Sequence, residues 1–443
     1  MNHQYVERVI DLTHPEKNII FNMDHDEAVE IIRSGKPENV RKIDGQFAIV
    51  SVEGKTVKMA RSIGRPIRYF LAKMVEGPCL VLAERIDVIY DYLKQEGLDD
   101  QFQPSYTRMA PAHYITTIEL VGCPDPNPVY ERFFSPRRNQ IDTTDLTQIG
   151  TLYIRGVYEE ILKWLTHTAT HGPIGVSFSG GIDSGSVFLL IYHALLELGE
   201  SPSRLKAFTL SLDEEGSDLI QAREFLDSLG LGLFHEPITI ESSQLDWKNA
   251  IRVVEDYKPL DIQSAMMNHA LLKEIRSRYP DWVYMIDGDG GDENLKDYPI
   301  EENPELTIKS VLNNLMLYQE GWGVKSIKHS QTYSGGLSRG YMRTFATADD
   351  LGFSGFSPYT LPNVIEIAEG IPFIELSEWD HEKLYELKGK IVSSGVKAVT
   401  GFDMPAFSKK RFQHGVTSGS SESLYPVMDS DYKRTFNALY EPG

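Results

Sequence analysis

The stretch GVSFSGGIDSGSVFLL, residues 175–190, decides the fold. An apolar run typical of a buried strand stops at a loop of glycine and serine, and an apolar helical pattern follows at once. At the carboxyl edge of an open α/β sheet, such a loop directs backbone N–H groups and the positive end of a helix dipole toward one spot. This chemistry suits phosphate oxygens, although glycine and serine are also common in ordinary turns.

The residues on either side of this loop alternate between strand and helix patterns. Strands are predicted at 174–178, 204–212 and 282–286, and helices from residue 151, at 184–198, after a cap at Ser217 or Asp218, and at 264–277. Strands that alternate with helices predict an α/β fold with a doubly wound parallel sheet. Residues 303–443 are predicted to be mostly helical.

A smaller β-rich region precedes the α/β part. Two apolar runs joined at Glu53-Gly54 predict a hairpin, and further strands and a short helix follow. The polar stretch 135–150 is typical of a linker. We therefore predict a β-rich domain at residues 1–140 and an α/β domain with a helical C-terminal part at residues 150–443.

Composition limits the classes of protein that fit. The formal net charge of −20 argues against a partner such as nucleic acid or an anionic membrane, although one local site can still take a nucleotide. The only cysteines, Cys79 and Cys123, make no zinc framework and indicate a reducing compartment. Neither a signal sequence nor an apolar stretch of about 18 residues is found, so we expect a cytoplasmic protein.

Acidic residues cluster at two of the predicted loops. Asp183 lies inside the glycine and serine loop, where a carboxylate fits an anion site only if a cation is shared. The strand 282–286 leads into IDGDGGDEN, which supplies Asp287, Asp289, Asp292 and Glu293. A solvated acidic turn is the alternative. Because carboxyl ends of parallel strands meet at one edge, we expect Asp183 and Asp292 to bind one Mg²⁺.

These two loops resemble those of a known family. SGGIDS after a strand resembles the pyrophosphate loop of the ATP pyrophosphatases that make adenylates, and GDGGDE resembles the GEGSDE-type stretch of asparagine synthetases and β-lactam synthetases. Weaker likenesses at 351–373 and 404–416 extend to the C-terminal part. IDGQFAIV and GRPIRYF are similar to strands of the family's N-terminal glutaminase domain. The resemblance implies an ATP pyrophosphatase (adenine nucleotide α-hydrolase-like) sheet beside half of an Ntn-hydrolase sandwich.

The resemblance also implies a reaction and its cofactors, ATP and Mg²⁺. In this family a carboxylate is adenylated, pyrophosphate leaves, and an amine attacks the acyl group. The residues carried over are the pyrophosphate loop (Ser179, Gly180, Gly181, Ser184), the magnesium ligands (Asp183, Asp292), the adenosine contacts (Leu210, Gly288), a charge-neutralising lysine (Lys409) and a proton acceptor (Asp289).

Some positions depart from the family pattern. Gly185 replaces a second serine, and Asp289 stands where asparagine synthetases have Glu and β-lactam synthetases have Tyr. Ser354 and Phe356 stand where the family often has Glu and Arg, which predicts a less charged pocket for the acyl substrate.

The N-terminal part departs furthest. Residue 2 is Asn2 rather than the nucleophilic cysteine of the family's glutaminase, and neither Cys79 nor Cys123 has an N-terminal amine as its base. We therefore expect no glutaminase activity. Half of a sandwich leaves an apolar sheet face open, so we also expect a second copy or a separate glutaminase-type partner to cover it.

Three hypotheses of function stay open. The first is an amide synthetase that joins a small-molecule or peptide carboxylate to ammonia or an amine, including one within the substrate, as in β-lactam synthetases and lasso-peptide cyclases. The second is an adenylating enzyme with a sulfur nucleophile, which lacks a cysteine near its motifs. The third is a non-catalytic or partner-dependent subunit, against which the joint presence of Ser179, Asp183, Asp292 and Lys409 argues.

Overall fold

The computed structural model of the protein describes residues 8–73, 79–120, 128–297, 300, 307–313, 340–407 and 428–441. The N-terminal strands are β1 (Arg8–Asp11), β2 (Ile19–Ile20), β3 (Gly45–Gln46), β4 (Ala48–Glu53), β5 (Thr56–Arg61), β6 (Arg68–Ala72), β7 (Cys79–Ala83), β8 (Arg108–Met109), β9 (Tyr114–Glu119) and β10 (Val129–Arg132). The helices among them are α1 (His25–Ser34), α2 (Pro37–Val40) and α3 (Ile86–Gln95).

The remaining strands are β11 (Ile174–Ser177), β12 (Leu205–Leu212), β13 (His235–Ile240), β14 (Tyr284–Ile286) and β15 (Ser354–Phe356). The helices are α4 (Leu146–His167), α5 (Ile182–Glu197), α6 (Ser217–Ser228), α7 (Trp247–Val254), α8 (Pro259–Arg278), α9 (Gly291–Asn294), α10 (Ile308–Asn313), α11 (Ala346–Asp350), α12 (Pro362–Gly370), α13 (Phe373–Ser377), α14 (His381–Thr400) and α15 (Asp429–Ala438). One π-helical turn spans Tyr341–Phe345.

The central sheet has five strands in the order β13-β12-β11-β14-β15, and all neighbouring pairs are parallel. Along the chain, the order runs outward from β11 to β13 and then returns to β14 on the other side of β11. The loops after β11 and β14 therefore diverge at the point where the strand order reverses. In open parallel sheets that crevice, at the carboxyl ends of the strands, is where ligands bind.

Helices cover both faces of this sheet because its strands alternate apolar side chains between two cores. One apolar cluster joins the sheet to α4, α5, α6 and α14, and within it the rings of Trp164 and Phe356 stack 4.8 Å apart. The other cluster joins the opposite face to α7, α8 and α11. The prediction of an α/β fold on a parallel sheet is confirmed.

The N-terminal part contains two stacked sheets, β1-β7-β6-β8 and β10-β9-β5-β4. Side chains from both sheets meet in one buried cluster that includes Met59 and Leu82. The outer face of one sheet packs against α1, and that of the other packs against α3. The expectation of a half sandwich with an open apolar face is therefore wrong for the residues that the structure describes, since each sheet covers the inner face of the other.

Several local predictions can be compared with the structure. The hairpin is confirmed, because β4 and β5 pair antiparallel with Glu53 opposite Thr56. The linker ends at Asp145, whose carboxylate caps α4 by accepting the Thr147 N–H at 2.8 Å. The mostly helical C-terminal part also contributes β15, which was not predicted because three residues are too few to show an alternating pattern.

The N-terminal part and the parallel sheet share one core. The cluster on the β12 face continues through α3 and includes Phe70 and Val81 of the N-terminal sheets. A buried ion pair crosses the same boundary, with Arg68 Nε 3.3 Å from Glu255 Oε2. Each part thus buries apolar surface of the other.

Candidate functional site

The loop after β11 is held in place by its backbone. Phe178 N–H donates to the Phe208 carbonyl at 2.8 Å, which extends the strand to the edge of the loop. Gly180 has φ +72°, and a Cβ there would lie 2.7 Å from the backbone of Ala222 on α6. Glycine is required at this position because both the dihedral angle and the close approach exclude a side chain. The Gln221 side chain donates to the Ser179 carbonyl at 3.2 Å.

The serines of this loop surround the first turn of α5. Ser179 Oγ lies 3.2 Å from Ser184 Oγ and accepts the Gly181 N–H at 3.2 Å. Gly181 is the N-cap residue, so no side chain caps this 16-residue helix. The N–H groups of an uncapped first turn and the helix dipole together can bind an anion.

The loop after β14 packs directly against the loop after β11. A Cβ at Gly288 would lie 2.7 Å from the backbone of Asp183, and one at Gly291 would overlap Asp183 Oδ1. The glycines of GDGGDE therefore allow the two loops to touch. This contact brings the carboxylates of Asp183 and Asp292 to the same place, as the sequence predicted.

A buried lysine joins these carboxylates. Lys388 on α14 places its Nζ 2.5 Å from Asp183 Oδ2, in contact with Asp292 Oδ1, and 3.4 Å from Asp297 Oδ2. Its side chain is 4% exposed. Burial alone would lower the pKa of Lys388, but the three carboxylates outweigh burial and hold that pKa well above its ordinary value. Asp183 and Asp292 thus flank one position that favours a cation.

The position of Lys388 depends on how α14 crosses α4. At the crossing, a Cβ at Gly395 would overlap the carbonyl oxygen of Gly150, and one at Gly150 would overlap the carbonyl oxygen of Ile391. The two helices are in backbone contact there, which fixes α14 against the core two turns after Lys388.

A second acidic pair lies beside the first. Asp289 N–H donates to Asp287 Oδ1 at 3.1 Å, and the Thr344 hydroxyl contacts Asp287 Oδ2 and lies 3.3 Å from Asp289 Oδ2. Arg343 Nη1 lies 3.9 Å from Asp289 Oδ1. Burial raises the pKa of Asp287 to about 6. Burial and the neighbouring Asp287 charge raise the pKa of Asp289 well above its ordinary value.

A series of buried hydrogen bonds supports the backbone of Asp183. Ser186 Oγ donates to the Asp183 carbonyl at 2.8 Å, so the Tyr359 hydroxyl, 2.6 Å from Ser186 Oγ, must donate to it. Asn294 Nδ2 donates to the Tyr359 carbonyl at 3.0 Å. These bonds hold the start of α5 and the loop after β15 in fixed relation.

The structure differs from the sequence predictions at other residues. Phe356 does not line a pocket, because it is buried and stacks on Trp164. The side chain of Leu210 is 2% exposed and lies in the core, which leaves only its backbone for a ligand. A Cβ at Gly185 would lie 2.6 Å from the ring of Phe225, which accounts for glycine in place of the family's serine. Lys409 lies outside the described residues.

Sequence reasoning missed Lys388, Asp297, Arg343 and Thr344. Lys388 had a visible signal, since it falls on the apolar stripe of α14 between Leu387 and Ile391. A lysine in such a stripe indicates a buried charge that needs partners. The other residues carry no comparable signal, because their partners are far away in the chain.

The donor set fits magnesium only together with a ligand. Among the described residues, no group of three His, Cys, Asp or Glu side chains could hold a metal ion. Asp183 and Asp292 supply two hard carboxylates, and Mg²⁺ is usually held by one or two carboxylates plus substrate phosphates. The anion site at α5 lies beside them. The residues present therefore fit a magnesium ion bound with a nucleotide.

A parallel sheet with an uncapped helix at its switch point is the arrangement of nucleotide-binding α/β proteins. Residues 164–345 match the family model for asparagine synthase. The match covers β11 to β14 with both acidic loops, and it supports an asparagine synthetase-like domain and ATP-dependent C–N ligase activity in general. No curated protein matches the chain. In the described part of the chain, no helix is long and apolar enough to cross a membrane.

Proposed function

We propose that the protein is an ATP- and Mg²⁺-dependent ligase that adenylates a carboxylate, releases pyrophosphate and lets ammonia or an amine attack the acyl group. One observation carries the proposal: Asp183 and Asp292, from the loops after two neighbouring strands, converge on one buried cationic position beside the uncapped end of α5.

The chain's own groups can bind and orient a nucleotide. The first-turn N–H groups of α5 and the hydroxyls of Ser179 and Ser184 would bind the diphosphate, with Gly180 and Gly181 keeping the loop open to it. Lys388 would exchange a carboxylate contact for a phosphate oxygen. Asp183 and Asp292 would hold Mg²⁺, which supplies positive charge to offset the leaving diphosphate.

The acyl and amine steps would take place at the second acidic pair. Asp289, between β14 and α9, would accept the proton that the attacking amine loses. Lys409 would neutralise the charge on the adenylate, and the backbones of Leu210 and Gly288 would face the adenosine. These roles follow the family resemblance.

We infer that the nitrogen is not released from glutamine by this chain. Cys79 is fully buried in β7, and burial raises the pKa of its thiol, so it is a poor nucleophile. Cys123 lies outside the described residues. The substrates would be a small-molecule or peptide carboxylate and an amine or ammonia. A second copy or a glutaminase-type partner is not needed to cover the N-terminal sheets, and a cytoplasmic location stays a prediction.

The test is pyrophosphate release from ATP and Mg²⁺, screened over carboxylic acids with ammonia, amines and hydrosulfide. We expect release with one carboxylate, and at least about a hundredfold loss in the Asp292→Asn variant. The matched control is Asp281→Asn, which changes an exposed aspartate in the turn before β14. This variant should keep full activity.

The outcomes separate the three hypotheses. Turnover only with hydrosulfide would indicate a sulfur nucleophile. Mg²⁺-dependent ATP binding without release for any pair would indicate a non-catalytic subunit. Equal activity of Asp292→Asn and the wild type would remove the magnesium assignment.

A further inference from the structure

We propose that Asp287, Thr344 and Asp289 form one proton-accepting unit, in which the two carboxyl groups share a proton across the threonine hydroxyl. Its use as the base for the attacking amine rests on the proposed function, whereas the sharing of the proton does not. Asp287 and Thr344 are then positioning residues that set the protonation of Asp289.

The hydrogen-bond geometry carries the first step. One hydroxyl oxygen, Thr344 Oγ1, lies within hydrogen-bond reach of both Asp287 Oδ2 and Asp289 Oδ2. A threonine hydroxyl has one hydrogen and two lone pairs. The hydroxyl can therefore donate its hydrogen to only one carboxylate. It can bond to the second carboxyl group only by accepting a hydrogen from it, so that second group must be protonated. The closer partner is Asp287, so the shared proton belongs on Asp289.

The backbone holds the pair in this arrangement. Asp287 N–H donates to the Phe356 carbonyl at 3.2 Å, and the hydroxyl of fully buried Ser357 donates to the Asp289 carbonyl. Thr344 itself is 3% exposed within the π-helical turn. π-Helical turns inside helices are frequent at functional sites. These bonds fix the backbone of both aspartates, so only a rotation of their side chains could separate the carboxyl groups.

The charges around the pair favour a single proton. Arg343, on the same turn as Thr344, is the cation that faces Asp289, with Nη1 at 3.9 Å. Glu293 of α9 acts on Asp289, and Asp261 of α8 and Asp292 of α9 act on Arg343. One guanidinium balances one carboxylate, so a second negative charge at this distance is unfavourable. The raised pKa values of both aspartates agree with this.

The pair can take one more proton in a balanced step. The ammonium formed by amine attack loses a proton as one N–H bond breaks, and that proton forms an O–H bond on Oδ1, the unprotonated oxygen of the Asp289 carboxyl group. The proton already on Asp289 passes to Thr344 Oγ1, and the hydroxyl hydrogen passes to Asp287. The charge of the pair changes from −1 to 0, and the relevant pKa is that of the pair rather than of either residue.

Infrared difference spectroscopy on the full chain tests the shared proton without a substrate. The readout is the carbonyl stretch of a protonated carboxyl group, followed from about pH 5 to about pH 9. Subtracting the Asp289→Asn spectrum isolates the signal of Asp289 from that of Asp256, because burial also raises the pKa of Asp256. We expect a protonated Asp289 at neutral pH that loses its proton at least about one pH unit lower in the Asp287→Asn variant.

A second pair of variants keeps the test decisive if Asp287→Asn does not fold. Thr344→Val should shift the titration of Asp289 downward, and Thr344→Ser, which keeps the hydroxyl, should leave it near that of the wild type. An ionised Asp289 at neutral pH, or a titration that both Asp287→Asn and Thr344→Val leave unchanged, would overturn the proposal.

The link to catalysis is tested separately. With a substrate pair from the pyrophosphate screen, the acid limb of the kcat profile reports the first ionisation of the pair, which proton sharing lowers, so the limb should move to higher pH in Asp287→Asn and stay in place in Thr344→Ser. A negative screen with a protonated Asp289 would count against the proposed function alone, and an active enzyme with an ionised Asp289 would count against the shared proton alone.

Discussion

Lys388 shows how a single residue holds the site together. Three carboxylates converge on its Nζ in a largely buried position, and removing one partner of a buried charge network leaves the others uncompensated. In the absence of ATP the lysine is therefore a structural cation. Its contacts lie far away along the chain, which is why the sequence did not reveal its partners.

The Lys388→Met variant should lose about 3–5 kcal/mol of unfolding free energy in urea at neutral pH without divalent cations. Mg²⁺ should stabilise this variant more than the wild type, because the carboxylates of Asp183 and Asp292 would then lack their ammonium. The matched control is Lys390→Met on the same helix, where the lysine is exposed and pairs with Glu386. Equal stability of the two variants would contradict this account of the site.

His113 predicts how stability depends on pH. Its ring is fully buried, and neither ring nitrogen has a hydrogen-bond partner among the described residues. Burial, assisted by the positive charge of Arg61, lowers the pKa of His113 to about 3. The folded state thus keeps this histidine neutral at pH values where the unfolded chain binds a proton. Stability therefore falls as the pH drops from the pKa of His113 in the unfolded chain to its pKa in the folded protein.

Between about pH 6.5 and about pH 5, His113 should remove about 2 kcal/mol of stability. His113→Asn should reduce this loss, and asparagine tolerates the φ of +64° at this position. Urea unfolding at several pH values provides the measurement, with His14→Asn, at a more exposed histidine, as the control. A variant with the pH dependence of the wild type would show that another group is responsible.

At the scale of elements, the crossing of α4 and α14 links stability to ligand binding. A single methyl group at Gly395 would overlap the Gly150 carbonyl oxygen. Because the two helices are already in backbone contact, they could accommodate the methyl group only by moving apart. Since α14 carries Lys388, any separation of these helices also shifts the lysine relative to Asp183.

Gly395→Ala should therefore cost about 1–3 kcal/mol of stability and weaken Mg²⁺-dependent ATP binding. Gly389→Ala is the control on the same helix, because a Cβ there would lie 3.7 Å from Ile182 Cδ1 in ordinary contact. Alanine has a higher helix propensity than glycine, so the Gly389→Ala control should gain up to about 1 kcal/mol of unfolding free energy. Urea unfolding and calorimetric titration with ATP distinguish the two variants, and equal results would contradict the role of the crossing.

The elements also show where sequence reasoning succeeds. Asp183 and Asp292 could be paired in advance because each follows a parallel strand, and carboxyl ends of neighbouring strands meet at one edge. The second N-terminal sheet could not be predicted in the same way. Its pairing of β1 with β7 joins segments about 70 residues apart, and β8 contributes only two residues to it. Long-range pairing of short strands leaves no periodicity to read.

At the scale of the whole molecule, the predicted domains at 1–140 and 150–443 are joined more closely than separate domains usually are. The Arg68–Glu255 ion pair and the aromatic contacts of Tyr90 and Phe102 with Tyr440 lie on their common boundary. Domains of one chain usually share only a limited and rather polar interface, whereas here one apolar cluster spans both parts.

The shared core has a practical consequence for anyone who expresses the protein. A fragment that begins near residue 150 would present the apolar surface of α7 and α15 to water and would leave Glu255 without its arginine. Such a fragment should aggregate or misfold, and its inactivity would say nothing about the ligase site. Assays and crystallisation trials should start from the intact chain.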